Sequence, residues 1–313
     1  MQRRKRCKVL RINHLRLFSA AKWRCPINHL VANAYPDCIR PRLLKQVAAA
    51  AGMNPRHVGK VSGTALFRKR QRQCLFLGLS DGARTDLFRR NNSPEIKHEQ
   101  VLQTYEISGS RVAGLLEKLG SDLEGICGGQ TPDEDRKFRT VVLLDDFSAS
   151  GKSYIRKTDS TFEGKIGTFF RSIADPDDPC SQLADMEQLE ILVVLYVGTR
   201  QAREHLDGHL AEMLRGSTVK YSVLVVHELN PAIRVQPGTE DPLELVLEKY
   251  YDESLEDEST RVGGTNLKYG FSGCGLPVVL SHNTPNNSVY LLWAESAKLR
   301  GLFPRISRHR REG

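Results

Sequence analysis

The sequence predicts an α/β protein built on a doubly wound, mainly parallel sheet, preceded by a basic helical region. Three observations carry that expectation. Short, nearly continuous Val/Ile/Leu runs recur after residue 72, helical patterns alternate with them, and lysines and arginines crowd into the first 72 residues. Continuous apolar runs suit strands covered on both faces, since a strand with one solvated face alternates apolar and polar residues. Strands alternating with helices give the crossover connections that parallel pairing needs. The 313 residues, 40% apolar and 27% charged, are enough for one large domain or two ordinary ones. The texture divides the chain into a basic helical region, 1–72, and an α/β domain, 73–313.

The first 72 residues hold eighteen lysines and arginines against one acid, Asp37; they carry +17 of formal charge and the rest of the chain −8 of the +9 total. A basic head on an acidic body points to a polyanionic partner such as nucleic acid, or to docking of the head on its own body. Within the head, Leu44 to Val61 reads as helix, tight turn, helix. Gly52 supplies the turn, Asn54 caps the second helix with Pro55 at its first position, and Met53, Val58 and Val61 form an apolar stripe. This segment resembles the helix-turn-helix unit of bacterial repressors, which implies that Arg56, His57 and Lys60 face DNA. A plain helical hairpin packed on the larger domain reads equally well.

Five runs read as buried strands: 74–79, 140–144, 189–197, 222–226 and 276–280. Helices are expected over 99–119 (broken near Ser108-Gly109), 165–174, 201–215 and 242–251. In such sheets ligands sit at the carboxyl ends of the strands. The acidic run Asp252 to Glu258 is read as a solvated insertion that could receive the basic head.

Several classes are excluded or set aside. No apolar run approaches the ~20 residues of a membrane span, so no membrane partner is expected. The Met1-Gln2-Arg3-Arg4-Lys5-Arg6 opening lacks a following apolar stretch, and a cytoplasmic location is expected. Seven scattered cysteines without a CxxC pair read as reduced thiols. His205 and His209 lie one helical turn apart but have no third ligand in sequence, and read as surface helix residues.

The chemistry concentrates after the second strand, in Leu144-Asp145-Asp146-Phe147-Ser148-Ala149-Ser150-Gly151-Lys152-Ser153. Adjacent carboxylates after a buried strand are costly unless they bind hydroxyls, a metal or a cation. The small-residue loop Ser148 to Ser153 can turn backbone N–H groups inward as an anion nest. An acid pair for a ribose diol beside a nest for a phosphate describes a ribose 5-phosphate site. A Walker A loop ends as Gly151-Lys152-Ser153 does, but its first glycine would fall on Asp146, whose charge repels phosphate.

This stretch resembles the PRPP-binding motif of the phosphoribosyltransferase superfamily. The resemblance implies that Asp145 and Asp146 hold the ribose hydroxyls and, indirectly, Mg²⁺. It also implies that Ser148, Ala149, Ser150, Gly151, Lys152 and Ser153 cradle the 5-phosphate. Ala149 stands where many of these transferases carry an acid that handles the base proton. The loop after the first strand, Ser80-Asp81-Gly82-Ala83-Arg84, would hold pyrophosphate, with Gly78 and Gly82 permitting close approach and Arg84 pairing with phosphate. Asn283 and Asn286, in the polar loop after the last run, either read a base edge or make turns.

The motifs FLGLSDGARTDLFRR, VVLLDDFSASGKSY, LPVVLSHNTPNNSVYLLW and FPRISRHR are similar to phosphoribosyltransferase-like proteins of bacterial conflict systems, including effectors encoded beside retron reverse transcriptases. The likeness spans most of Cys74 to Arg310. It implies an antiphage or toxin-like effector acting on nucleotides, with the basic head suited to a structured nucleic acid or a reverse transcriptase complex with RNA and DNA; the ribose-phosphate site suits phosphoribosyl transfer or nucleotide cleavage. The competing reading is a non-catalytic, nucleotide-sensing, DNA-binding regulator.

Overall fold

The computed structural model describes residues 26–239, 242–280, 283–296 and 299–303. These fall into two compact units, Cys25–Pro231 and a second one within 232–313. The charged opening of the chain and most of FPRISRHR lie outside the described residues.

The larger unit is built on a five-stranded parallel sheet in the order β2-β1-β3-β6-β7. Its strands are β1 (Cys74–Gly78), β2 (Val101–Leu102), β3 (Thr140–Ser148), β6 (Glu190–Gly198) and β7 (Lys220–Glu228). A two-stranded ribbon, β4 (Arg156–Thr158) with β5 (Thr161–Glu163), projects from the β3 crossover. Alternation along each strand sends side chains to opposite faces. Leu75, Leu77, Val141, Leu143, Ile191 and Val193 pack with helices α6 (Gly109–Cys127), α7 (Lys165–Ala174) and α8 (Arg200–Met213). Phe76, Val142, Leu144, Leu192, Val194 and Tyr196 enter a second cluster on the other face.

That second face is covered largely by the basic region. Helices α1 (Pro26–Asn33), α2 (Arg40–Ala50), α3 (Val58–Ser62) and α4 (Ala65–Arg72) contribute Val31, Leu43, Val47, Val61 and Phe67 to its core, the π-helical segment Ala34–Ile39 between α1 and α2 contributes Tyr35, and α5 (Thr85–Asn91) adds Phe88. A division at residue 72 therefore does not match the compact units, because a parallel sheet needs cover on both faces and these helices supply one of them. Ion pairs fasten the layer: Arg40 to Glu95, Lys69 to Asp135, and Arg72 to Asp122 at 2.6 Å. Arg42 Nε donates to the buried Glu190 at 2.6 Å, and Gln46 donates to its other oxygen at 2.7 Å.

Four further expectations change. The run 276–280 makes no strand; Leu276 forms an isolated bridge to Ser288, and Pro277 within the run has no N–H to give a ladder. The fifth strand is instead the two-residue β2, inside the stretch expected to be helical from residue 99; α6 begins only at Gly109. The second helix of the helix-turn-helix candidate runs for five residues from Val58, about 7.5 Å. Asn54 closes a local turn by accepting from Arg56 N at 2.9 Å rather than capping that helix, and Val58 is exposed. The acidic run is exposed at Glu253, Ser254 and Glu256 to Glu258 but anchored at two positions, where Asp252 caps a short turn by accepting from Ser254 N and Leu255 is buried.

The second unit has its own core, in which helix α9 (Pro242–Tyr250) supplies Leu243 and Leu247, and α11 (Tyr290–Trp293) supplies Tyr290 and Leu292. Between them lies the short α10 (Glu258–Gly263). No helix among the described residues is long and apolar enough to cross a membrane.

Leu43 is 2% exposed at the seam between basic layer and sheet. Leu43→Ala should lower the unfolding free energy by about 2–5 kcal/mol. In urea denaturation followed by circular dichroism, the loss should appear in the main sheet transition, not in a separate early step.

Candidate functional site

The carboxyl ends of β1 and β3 lie side by side, with Gly78 in register with Leu144 and Leu79 N donating to Leu144 O at 2.9 Å. This pairing sets the loop after β1 against the acid pair of β3. Ser80 caps a short turn over Asp81–Ala83 by accepting from Gly82 N at 3.2 Å, and its hydroxyl donates to Asp145 Oδ1. A Cβ added at Gly82 would stand 2.6 Å from Asp146 Oδ2, so glycine lets this turn approach the second carboxylate without displacing it. Tyr196 supports the turn from below through a 3.0 Å hydrogen bond to Ala83 O.

The two carboxylates differ. They belong to β3 itself rather than to the loop beyond it, since the β3–β6 ladder continues to Ser148. Asp145 is 1% exposed. Its Oδ1 accepts from Ser80 and from Asp146 N; its Oδ2 lies 2.7 Å from the Tyr154 hydroxyl and 3.6 Å from Lys165 Nζ. Burial, and then the neighbouring Asp146 charge, push its pKa up to about 6 against the pull of Lys165, Ser80 and Tyr154. Asp146 is also buried, at 8% exposure, and adjoins Gly82.

The small-residue loop is folded tightly. Ser148, Ala149 and Ser150 are buried, and Ser148 Oγ accepts from Gly151 N at 3.2 Å. Gly151 takes a left-handed φ of 76° and lies against His205, which a Cβ would meet at 2.8 Å. Thr199 ties the loop to α8, donating to Ala149 O at 2.6 Å while accepting from Ala202 N. Lys152 and Ser153 are the more open members, Lys152 half-buried and Ser153 exposed. His205 is thus not a plain surface residue: its Nε2 meets Ile155 O at 2.8 Å, its ring stacks on His209 at 4.0 Å, and burial holds its pKa below the ordinary histidine value.

Arg84 occupies the left-handed region at φ 50°, which costs a non-glycine residue about 1–2 kcal/mol. Its Nε is buried without a hydrogen-bond partner among the described residues. A strained arginine with an unspent donor next to the acid pair suits an anionic ligand.

The structure brings Ser80, Asp81, Gly82, Arg84, the acid pair and the loop Ser148 to Ser153 to the same end of the sheet. Lys165 and Tyr154, which hold Asp145, were not singled out from sequence; their only signal was a basic residue opening a helix soon after the loop. Asn283 and Asn286 belong to the second unit. There Asn283 Oδ1 accepts from Thr284 N at 2.9 Å, and the backbone O of Asn286 accepts from Phe271 N at 2.7 Å. Arg56, His57 and Lys60 are exposed on the turn and short helix after α2. Among the described residues no group of three or more His, Cys, Asp or Glu is arranged to hold a metal ion.

A family model described as PRTase-CE matches residues 6–305 of the chain. No curated protein and no solved structure matches it.

Two outcomes follow from this geometry. Because the Asp145 pKa lies above its unfolded value, the folded protein binds the extra proton. The charged group therefore costs stability above about pH 6, and that cost fades as pH falls from 6 towards 4. Carboxyl NMR should show Asp145 titrating near pH 6, moving lower in Asp146→Asn. Gly82→Ala should displace the Asp146 carboxylate and shift its resonance, while leaving the melting temperature within a few degrees of wild type.

Proposed function

The chain belongs to the PRTase-CE family and is a phosphoribosyltransferase-like protein, and from that premise we propose that the paired β1 and β3 loops bind PRPP or a closely related ribose phosphate. The observation that carries this reading is the meeting of the Ser80–Arg84 turn with the acid pair, through Ser80 on Asp145 and Gly82 against Asp146. Two loops at the carboxyl ends of adjacent parallel strands can then share one ligand.

The roles divide by exposure and bonding. Asp145 is enclosed by Ser80, Tyr154 and Lys165 and acts as a positioning group. Asp146 is the carboxylate we assign to the ribose hydroxyls. The loop Ser148 to Ser153 receives the 5-phosphate, with Lys152 and Ser153 at its open edge. Arg84 directs its unspent donor to the pyrophosphate. Catalysis at ribose C1 would rest on positioning and electrostatics: as the bond to the leaving group breaks, carboxylate charge stabilises the cationic sugar and Arg84 the departing anion. Mg²⁺ fits this donor set as an ion carried by substrate phosphates and touching Asp146, because magnesium takes one or two carboxylates plus phosphate oxygens. When bound it would neutralise the pyrophosphate.

Ala149 favours a second reading. It is fully buried and offers no acid at a loop position where many phosphoribosyltransferases carry one. Hydrolysis of a nucleotide, or sensing without turnover, needs no base there.

Nucleic-acid contact is assigned to the exposed Arg56, His57 and Lys60, since Arg40, Arg42, Lys69 and Arg72 are engaged with acids of their own unit. Similarity of the motifs to retron-associated effectors supports a role in antiphage defence, in the cytoplasm, alongside a reverse transcriptase complex.

Calorimetric titration of PRPP with and without Mg²⁺ tests the reading. Binding should require Mg²⁺ and weaken at least about tenfold in Asp146→Asn. Any turnover should fall on the order of 10²–10³ in the same variant. Folded protein that ignores PRPP would sink the assignment.

A further inference from the structure

A second concavity opens at the same end of the sheet, one strand further out. It is a cleft of about 500 Å³ bounded by α5, the end of β2 and the start of α6. That volume is within the range of pockets for small organic ligands, roughly 300–1,000 Å³. Its apolar lining is Val101, Leu102 and Ile107; its cationic lining is Arg89 and Arg111, with His98 against the Arg89 guanidinium.

The charges in this cleft are unspent. Elsewhere in the same unit cations find acids, as in Arg42 with Glu190 and Lys97 with Asp122. Asp86 and Glu106 line the cleft too, yet among the described residues neither Arg89 nor Arg111 forms an ion pair. Arg89 instead donates to a ring nitrogen of His98, which leaves its positive charge without an acid partner among the described residues. Gln103 and Thr104 add neutral donors and acceptors at the rim.

One ligand chemistry uses all of these features. A flat heterocycle covers Val101, Leu102 and Ile107, its polar edge meets Gln103 or an acid, and an attached phosphate takes the two guanidiniums. A bare phosphate would leave the apolar lining idle, and an apolar molecule would strand the arginines.

The cleft also adjoins the first site. Thr85 in its wall directly follows Arg84, and Gln103 O presses so close on Gly78 that a Cβ there would lie 2.5 Å away. β2 and β3 flank β1, so Leu102 and Leu143, in register through Leu77, stand about 10 Å apart, two strand spacings.

We infer that this cleft is a second subsite that binds a nucleoside 5′-monophosphate, with its phosphate on Arg89 and Arg111, next to the ribose-phosphate ligand. The inference deepens the reading above and rests on it only for the identity of the neighbouring ligand.

The test titrates AMP, GMP, CMP and UMP singly, and PRPP with Mg²⁺, into the full chain, the Arg89→Ala/Arg111→Ala variant and Asp146→Asn. At least one monophosphate should bind wild type. That binding should weaken at least about tenfold in the arginine variant and stay within about threefold in Asp146→Asn. PRPP binding should be unchanged by the arginine substitutions. If the double variant melts early, Arg111→Ala alone serves, because that side chain is exposed. Failure of all four monophosphates to bind folded protein overturns the inference. So does nucleotide binding that Asp146→Asn abolishes and the arginine variant keeps. If a monophosphate binds through the arginines while PRPP does not bind, the ribose-phosphate reading falls and the cleft stands.

Discussion

A sheet whose strands are apolar on both sides must be buried on both sides, and the larger unit is organised around meeting that demand. Each large side chain buried on β1, β3 or β6 is worth about 1.5–3 kcal/mol relative to leaving it in water. Leaving either face open would forfeit many of them at once. The helices of 26–72 are the second cover, so their apolar residues face Phe76, Val142 and Leu192 while part of their charge is turned to a rim of acids. The Arg42–Glu190 pair belongs to the same arrangement. Glu190 opens β6 in a buried position, and a carboxylate there is tolerable only with a cation and an amide against it.

The same alternation that divides the core divides the acid pair. Consecutive residues of a strand point to opposite faces. Asp145 is directed to the side of Tyr154 and Lys165, and Asp146 to the side of the Ala83 turn. One carboxylate is thereby held in a hydrogen-bonded interior, where desolvation raises its proton affinity. The other lies against Gly82, where an added Cβ would have to displace it. Two adjacent aspartates of identical chemistry acquire different surroundings from strand geometry.

Much of this was legible in the sequence. The continuous runs of β1, β3 and β6 announce doubly covered strands; the run 222–226, expected to be buried as well, forms the edge strand β7 and is only partly buried; Lys165 to Ala174 is helical with the expected bounds. The acid pair and its small-residue loop were readable because such residues have few reasons to follow a buried strand. β2 was not readable, since two residues carry no period. The run 276–280 looked the same as a strand by composition, and its proline decided otherwise. The placement of the basic helices was hidden for a different reason. Their amphipathic pattern shows that an apolar side exists, but the partner is set by strands that follow it by up to about 150 residues. Lys165 and Tyr154 were missed likewise, since their link to Asp145 depends on how the crossover returns to the sheet.

The order of the cover and the covered surface along the chain has a consequence for biosynthesis. The layer of 26–72 leaves the ribosome before most of the sheet it protects, and β6 ends about 125 residues later. At about 5–20 residues per second, the apolar side of α1, α2 and α4 waits some 6–25 s for its full partner. During that interval the nascent layer is a set of short amphipathic helices without a core, a form open to self-association. Its excess of lysine and arginine then acts as mutual repulsion between nascent chains, keeping the cover soluble until the strands arrive to be covered.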